Sequence, residues 1–111
     1  MIDSYSFGSI TIDGKEYSHD VVVSGSNVKF WRRATSHEVT INDLAPILEE
    51  KPKLIVFGTG ASGIMKVMPE TEEYLNQQGI KFEIMMTGEA TSEFNRLSAE
   101  PGVVGAFHLT C

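Results

Sequence analysis

The glycine-rich segment Gly58–Gly63 is the part of the chain whose residue types and spacing point most directly to chemistry. It reads Gly58-Thr59-Gly60-Ala61-Ser62-Gly63 and follows an apolar run at 54–57. Glycines in a G-x-G-x-x-G pattern after a buried strand are typical of a dinucleotide-binding turn, and Glu83 stands where an acid that binds the ribose is expected. Such a turn must lead into a long helix, however, and Pro69 would break that helix after about two turns. We therefore predict no nicotinamide, flavin or other cofactor.

The same segment also suits a small anionic ligand. Thr87 and Gly88 follow a second apolar strand and open a helix. In open α/β sheets, ligands collect beyond the carboxyl ends of the strands, and the free N–H groups of a helix N-terminus attract negative charge. We hypothesise that Thr59, Gly60, Thr87 and Gly88 line one cleft. The alternative is that the glycines only permit a tight turn with positive φ beside a packed neighbour.

His37 is the candidate for proton transfer, because a loop histidine can act as a general base. Its neighbours Thr35 and Ser36 equally favour a hydrogen-bonded loop anchor. His108 and Cys111 are three residues apart, so on a strand they would point to opposite faces and not form a nucleophilic pair. We assign no catalytic residue and no metal site. The residues of the candidate ligand cleft are Thr35, Ser36, His37, Gly58, Thr59, Gly60, Thr87 and Gly88.

A second candidate surface is the basic, aromatic run around Trp31, Arg32 and Arg33, which we predict to face a protein partner. The run could also stack on a nucleic acid. The net charge of −6 argues against that, since non-specific nucleic-acid binding needs a positive field. We expect no nucleic-acid partner, and we expect Phe30 to turn inward with the cations solvated.

The elements that must position these residues follow from the hydrophobic pattern. Strands are predicted around Phe7–Ile12, at Tyr17–Val23 and at Val28–Arg33, with turns at Asp13-Gly14 and 24–27, which makes an antiparallel meander. The period then changes, and the order continues as helix, strand, helix, strand, helix, strand. The first helix has the apolar face Leu44, Ile47 and Leu48, and Thr40 or Asn42 can cap it. The second opens at Pro69 and ends at Gly79, and the third, which Thr87 can cap, has the apolar face Ala90, Phe94 and Leu97 and ends before Pro101. Strands are predicted over Leu54–Phe57, Ile80–Met86 and Val103–Leu109.

This order predicts an α/β fold with parallel neighbours in its second half. The meander either extends that sheet or packs as its own layer. The 111 residues predict a single domain, 1–111. No apolar run is long enough to span a membrane, and the one cysteine fits a reducing compartment, so we expect a cytoplasmic protein without a membrane partner.

Several short motifs follow one another along the chain: Phe7-Gly8, Asp20–Val23, Thr35–His37, Gly58–Gly60, Pro69-Glu70, Thr87, Ala90, Asn95 and His108–Cys111. Together they resemble a family of small archaeal and bacterial domains of largely unknown function, whose mammalian relatives include an adipogenesis-associated protein and an assembly factor for mitochondrial respiratory complex I. The resemblance covers essentially the whole chain and implies a three-layer α/β fold with a central mixed sheet, helices on both sides and an added N-terminal antiparallel β-hairpin or meander.

The sequence and the resemblance together favour a non-enzymatic binding or assembly-type protein with a small cleft beside the Gly58–Gly63 turn. Its partner would be a protein or a small anionic ligand, and the chain itself would be a monomer or a weak homodimer. The alternative is an enzyme, or a nucleotide- or anion-binding protein, that uses the same cleft with His37 as a base. A deep pocket that holds His37 beside Thr59 and Thr87 would favour the enzyme, and an exposed apolar patch around Trp31 would favour the partner surface.

Overall fold

The computed structural model describes all residues from 1 to 111, and strands alternate with helices through its second half. The strands are β1 (Ile2–Ser6), β2 (Ser9–Ile12), β3 (Lys15–Tyr17), β4 (Val21–Ser24), β5 (Asn27–Phe30), β6 (Glu38–Val39), β7 (Leu54–Thr59), β8 (Lys66–Val67), β9 (Lys81–Met85) and β10 (Val103–His108). The helices are a 3₁₀ turn at Ile41–Leu44, α1 (Ala45–Leu48), α2 (Pro69–Gln77) and α3 (Thr87–Leu97). No helix has the length and apolar character that a membrane crossing requires.

A five-stranded mixed sheet forms the centre of the fold, with the strand order β5-β4-β10-β7-β9. The strands β10, β7 and β9 run parallel, whereas β4 pairs antiparallel with β10 and with β5. The two inner parallel strands, β7 and β10, are largely apolar because both of their faces are covered, whereas the edge strand β9 carries Lys81 and Glu83 and is only partly buried. In β7, for example, every residue from Ile55 to Thr59 is buried.

Two apolar clusters hold the layers together, one on each face of this sheet. On the first face, Leu44, Ile47 and Leu75 from the 3₁₀ turn, α1 and α2 pack on the sheet. On the second face, Phe94 of α3 packs beside Ile10 of the N-terminal strands. The predicted three-layer α/β fold, with a mixed sheet, helices on both sides and an added N-terminal antiparallel sheet, is confirmed.

The N-terminal meander is divided in a way that the pattern did not show. The strands β1, β2 and β3 form a separate three-stranded antiparallel sheet, and β4 and β5 extend the central sheet. The predicted continuous strand Tyr17–Val23 is wrong, because residues 18–20 leave the strand and carry the chain from one sheet to the other. The first part of the meander therefore forms a layer of its own, and the second part extends the central sheet.

Two short strands, β6 and β8, were not predicted. They pair in parallel as a separate two-stranded sheet, with Val39 opposite Val67. This pairing ties the segment after the Gly58–Gly63 turn to the loop that carries His37, since the Lys66 N–H donates to the His37 carbonyl over 2.9 Å.

Candidate functional site

The residues singled out from the sequence converge at one end of the central sheet, where β7, β9 and β10 all finish. Thr59 and His108 lie opposite each other at the ends of β7 and β10. The turn after β7 begins with Gly60, whose φ of +106° favours glycine because it has no Cβ. The chain leaves β9 and enters α3 at Thr87, so the predicted strand ends do meet. No long helix follows Gly60, since α2 begins only at Pro69.

Thr87 joins these strand ends through a fully buried hydroxyl group. The hydroxyl accepts a hydrogen bond from the Gly60 N–H over 2.7 Å and donates one to the His108 carbonyl over 2.6 Å. The Thr87 N–H in turn donates to the Gly60 carbonyl over 3.0 Å. Thr87 was expected to cap α3, but Met86 occupies the N-cap position. Its hydroxyl is used instead to hold β7, β10 and α3 together.

The N–H groups of the glycine turn are also occupied by the chain itself. The Ala61 N–H donates to the Thr110 carbonyl over 2.7 Å, and the Ser62 and Ile64 N–H groups donate to the Cys111 main-chain oxygen over 3.2 and 3.1 Å. A Cβ at Gly60 would overlap the main chain of Cys111. We call the bonded set Gly60–Ser62, Ile64, Thr87 and His108–Cys111 the strand-end junction.

A buried charged cluster borders the strand-end junction and was missed by sequence reasoning. The Asp20 Oδ2 atom lies 2.8 Å from Arg33 Nη1 and 2.8 Å from His108 Nδ1, and Asp20 Oδ1 accepts the Leu109 N–H over 2.8 Å. The side chains of Arg33 and His108 are only 2% and 3% exposed. Burial raises the pKa of Asp20, but the hydrogen bonds from His108, the Leu109 N–H and Arg33 outweigh it, so the pKa is lowered. Asp20 is therefore held as a carboxylate.

The partners in this cluster are far apart along the chain, which is why spacing gave no signal for them. Asp20 is 88 residues from His108 and 13 from Arg33. A hint was available in the motifs that carry the family resemblance, because Asp20 opens one of them and His108 opens another.

The predicted partner surface at Trp31, Arg32 and Arg33 is wrong for two of its three residues. Trp31 is 2% exposed, and its indole N–H donates to the Asp43 carbonyl over 3.0 Å. Arg33 is buried beneath it in the charged cluster, with its guanidinium 4.5 Å from the Trp31 ring. Only Arg32 is exposed, beside an outward-facing Phe30 that was expected to turn inward. Because neighbouring residues of an extended chain point to opposite sides, turning Trp31 inward places Phe30 outside.

The eight residues of the predicted ligand cleft are divided among three places. Gly58, Thr59, Gly60 and Thr87 are buried together. Thr35, Ser36 and His37 lie on an exposed loop, with the His37 ring edge-on to His108 at 5.9 Å between centroids. Gly88 is exposed on the outside of α3. No surface depression places His37 beside Thr59 and Thr87.

The open depression at this end of the sheet lies on the other side of the glycine turn. It has a volume of about 510 Å³ and runs between the turn, β8, the start of α2 and the free edge of β9. We call it the turn groove. Its lining residues are Thr59, Ser62, Gly63, Met65, Lys66, Val67, Glu72, Ile84, Met85 and Met86.

The turn groove is bordered by apolar side chains that nothing covers. Ile84 is 41% exposed and Met86 is 44% exposed, and Ile64, between the lining residues Gly63 and Met65, is 46% exposed. The two charged lining residues, Lys66 and Glu72, are of opposite sign. The groove thus offers apolar contact with little net charge.

Comparison with known proteins places the chain in a family. The sequence model of the family described as "Protein of unknown function (DUF498/DUF598)" matches residues 2–109. The chain therefore belongs to this family, and the resemblance seen in the sequence, to a small domain family of unknown function, is confirmed.

Solved structures repeat the same fold over the whole chain. The conserved hypothetical protein PH1505 from Pyrococcus horikoshii OT3 superimposes with a TM-score of 0.90 at 26% identity, covering 100% of this chain and 99% of that one. A structure named MT938 gives a TM-score of 0.81 at 30% identity, with coverages of 100% and 98%. A Bordetella pertussis protein described as a Mth938-like domain gives 0.79 at 20% identity, with coverages of 98% and 85%, and shows the fold alone.

Proposed function

We propose that this chain is a binding protein that docks an apolar segment of a partner protein in the turn groove. The observation that carries the proposal is a depression lined by two exposed large apolar side chains, Ile84 and Met86, with a third, Ile64, in the chain between its lining residues Gly63 and Met65. Scattered apolar residues on a surface need no explanation, but a contiguous set beside a groove is typical of a protein interaction site.

The energetics of the turn groove favour an apolar occupant over a small anion. Complete burial of an exposed aliphatic side chain is worth about 1.5–3 kcal/mol; Ile64, Ile84 and Met86 are 41–46% exposed, so covering each of them supplies somewhat less than half of that. An anion beside the glycine turn would have to compete with the chain itself, because the N–H groups of Ala61, Ser62 and Ile64 already donate to Thr110 and Cys111, and that of Thr87 donates to Gly60. The groove is also lined by the partly exposed Met85 and the exposed Met86, and methionine adapts its shape to different apolar partners.

The proposal keeps the location that the sequence indicated and changes the residues that act there. Of the eight residues predicted to line a cleft, Thr59 lines the turn groove, and Gly58, Gly60 and Thr87 support its wall from inside. An assembly role, as the resemblance implies, and a cytoplasmic location are part of the same proposal.

Ile64→Ser tests the proposal, with Phe7→Ser as its matched control. Both residues are exposed apolar side chains outside the helices and strands, at 46% and 65%, but Phe7 lies between β1 and β2 and does not line the groove. A partner is first captured from an extract of the native cell with the wild-type chain, identified and purified. We expect Ile64→Ser to weaken the binding of that purified partner by about tenfold or more, which corresponds to about 1.4 kcal/mol, and Phe7→Ser to leave it unchanged.

Amide hydrogen exchange of the complex locates the contact independently of any substitution. Protection at 62–67 and 84–86 is the expected footprint. The proposal fails if the purified partner binds Ile64→Ser as tightly as wild type, if its footprint lies elsewhere, or if no partner is retained by the wild-type chain.

A further inference from the structure

The strand β9 leaves one edge of the central sheet without a partner. It pairs with β7 on one side, and no strand lies on the other. The Lys81 N–H donates to the Lys53 carbonyl over 3.1 Å, and the Met85 carbonyl accepts the Thr59 hydroxyl over 3.1 Å, so both residues point their main-chain groups toward β7. Because these groups alternate along a strand, those of Phe82 and Ile84 point outward. The edge thus presents free donors and acceptors at two alternate residues.

We propose that, in protein free of its partner, a second copy of this chain covers this edge, with the two β9 strands pairing antiparallel about a two-fold axis at Ile84. The pairing would join two five-stranded sheets into one ten-stranded sheet. It goes beyond the proposed function, because it concerns what occupies β9 when no other protein is bound.

The side chains on one face of β9 select this register. Phe82, Ile84 and Met86 share a face, since residues two apart on a strand point the same way. With the axis at Ile84, each Ile84 lies opposite its copy and each Met86 lies opposite a Phe82. The exposed Ile84 and Met86 are then covered by apolar side chains on both halves of the interface. A two-fold interface needs this kind of self-complementary surface.

Neighbouring registers fit less well. An axis at Glu83 would place two carboxylates directly opposite each other, and like charges in that position are destabilising. An axis at Phe82 would leave Met86 uncovered. The axis at Ile84 instead places Glu83 opposite Met85, on the face that α3 covers, where Glu83 lies beside Glu93.

The opposite edge of the sheet offers no equivalent surface. On β5, Lys29 is bound to Glu49 and Glu50, over 2.9 Å for Glu49, and donates to the Pro46 carbonyl over 3.2 Å. Charged side chains on an edge strand, lysine above all, disfavour the addition of another strand. An assembly of two copies through β9 therefore closes, because the outer edges of the pair are both β5.

The interface is small, so the dimer is expected to be weak. A single strand pair buries less than the roughly 1,200 Å² of a standard stable interface. We expect a reversible rise in mass by light scattering as the concentration increases toward about 1 mM, and no rise in the Ile84→Lys variant. Ile84 is a partly exposed surface residue, so circular dichroism serves to show that this variant is folded.

Cysteine cross-linking tests the register, in a Cys111→Ser background that removes the native thiol. Opposed residues at Ile84 would have Cα atoms about 5.5 Å apart, within reach of a disulfide or a short bismaleimide. We expect Ile84→Cys to cross-link, and neither Phe82→Cys nor Phe30→Cys to do so when each is used alone. A mixture of Phe82→Cys and Met86→Cys should form the mixed dimer.

The inference is overturned by a mass that stays monomeric up to about 1 mM, by cross-linking of Phe82→Cys in preference to Ile84→Cys, or by equal cross-linking of Phe30→Cys. The two proposals fail separately. Loss of partner binding in Ile64→Ser without any dimer leaves the proposed function standing alone. If the chain dimerises through Ile84 but the partner binds Ile64→Ser as tightly as wild type, the dimer is supported and the proposed function is not.

Discussion

The strand-end junction and the turn groove lie on either side of the Gly58–Gly63 turn. The junction buries polar groups that are hydrogen-bonded within the chain, whereas the groove exposes apolar side chains. In the junction, the buried hydroxyl of Thr87 and the N–H groups of Gly60, Ala61 and Ser62 all have partners within the chain. In the groove, large apolar side chains remain open to solvent. Gly60 and Thr87, which the sequence predicted to bind a ligand, therefore stabilise the fold. Ile84 and Met86, which the sequence placed in an apolar strand, are exposed to solvent and can contact a partner.

This difference predicts that substitutions in and around the junction reduce stability, whereas substitutions around the groove reduce association.

The largest effect is expected from Asp20→Asn. The change removes the carboxylate between Arg33 and His108 and leaves the buried Arg33 guanidinium without a counter-charge. Breaking a buried ion pair in this way costs about 3–5 kcal/mol. Urea unfolding followed by circular dichroism measures it. Asp3→Asn is the control, because the Asp3 carboxylate accepts the Gly14 N–H at an exposed turn, and its loss should cost well under about 1.5 kcal/mol. Equal losses in the two variants would contradict the importance of the cluster.

Thr87→Val is expected to have the next largest effect. Valine keeps the shape of the side chain but leaves the Gly60 N–H and the His108 carbonyl unsatisfied in a buried place. At about 1–2 kcal/mol for each of these two uncharged groups, the free energy of unfolding should fall by about 2–4 kcal/mol. Thr91→Val is the matched control one turn later on α3, since its hydroxyl donates to the carbonyl of the exposed Gly88. A loss no greater than that of Thr91→Val would show that the junction tolerates an unpaired group.

The pH dependence of stability gives a smaller, graded effect. The pKa of Asp20 is lower in the folded chain than in the unfolded one, against burial, because of its hydrogen bonds to His108, Leu109 and Arg33. The stability from Asp20 is thus fully present above the unfolded pKa, about 3.9, and is lost as the pH falls through the folded pKa. The difference in unfolding free energy between wild type and Asp20→Asn should therefore shrink from about pH 6 toward about pH 2. A difference that stays constant over this range would show that the Asp20 charge is not involved.

The smallest effect on stability is expected at the turn groove. Ile84→Thr keeps a β-branched side chain on β9 and exposes less apolar surface, so the free energy of unfolding should change by about 0.5 kcal/mol or less. The same variant should lower self-association measured by light scattering. A destabilisation comparable with that of Thr87→Val would mean that Ile84 belongs to the core and that the groove is not a free surface.

Local signals predicted much of the fold. Pro69 and Gly79 bound the predicted second helix, and α2 spans Pro69–Gln77 with Gly79 just beyond it at a φ of +73°. Thr40 was one of two candidate caps, and it caps the 3₁₀ turn at Ile41–Leu44 in a capping box with Asp43. Each of these features depends on residues within one turn of one another, which is the range over which a sequence pattern carries information.

The features that were not predicted depend on distant partners. Whether β3 and β4 share a sheet is decided by β10, which pairs with β4 from more than 80 residues away along the chain. The inward position of Trp31 depends on the Asp43 carbonyl and on Arg33. The glycine turn was placed correctly, but its occupants, Thr110 and Cys111, lie about 50 residues further on. The sequence pattern thus predicted where the strands end, but not which distant residues pack and form hydrogen bonds there.

The central position of β10 has a consequence for how the protein is made. Of the five strands in the main sheet, β10 is synthesised last, yet it lies between β4 and β7. Until the ribosome has released residues 103–108, the pair β4–β5 and the pair β7–β9 have no strand to join them, and both expose apolar edges. The main sheet therefore assembles after translation of this segment, and during synthesis the nascent chain presents the kind of edge that chaperones bind.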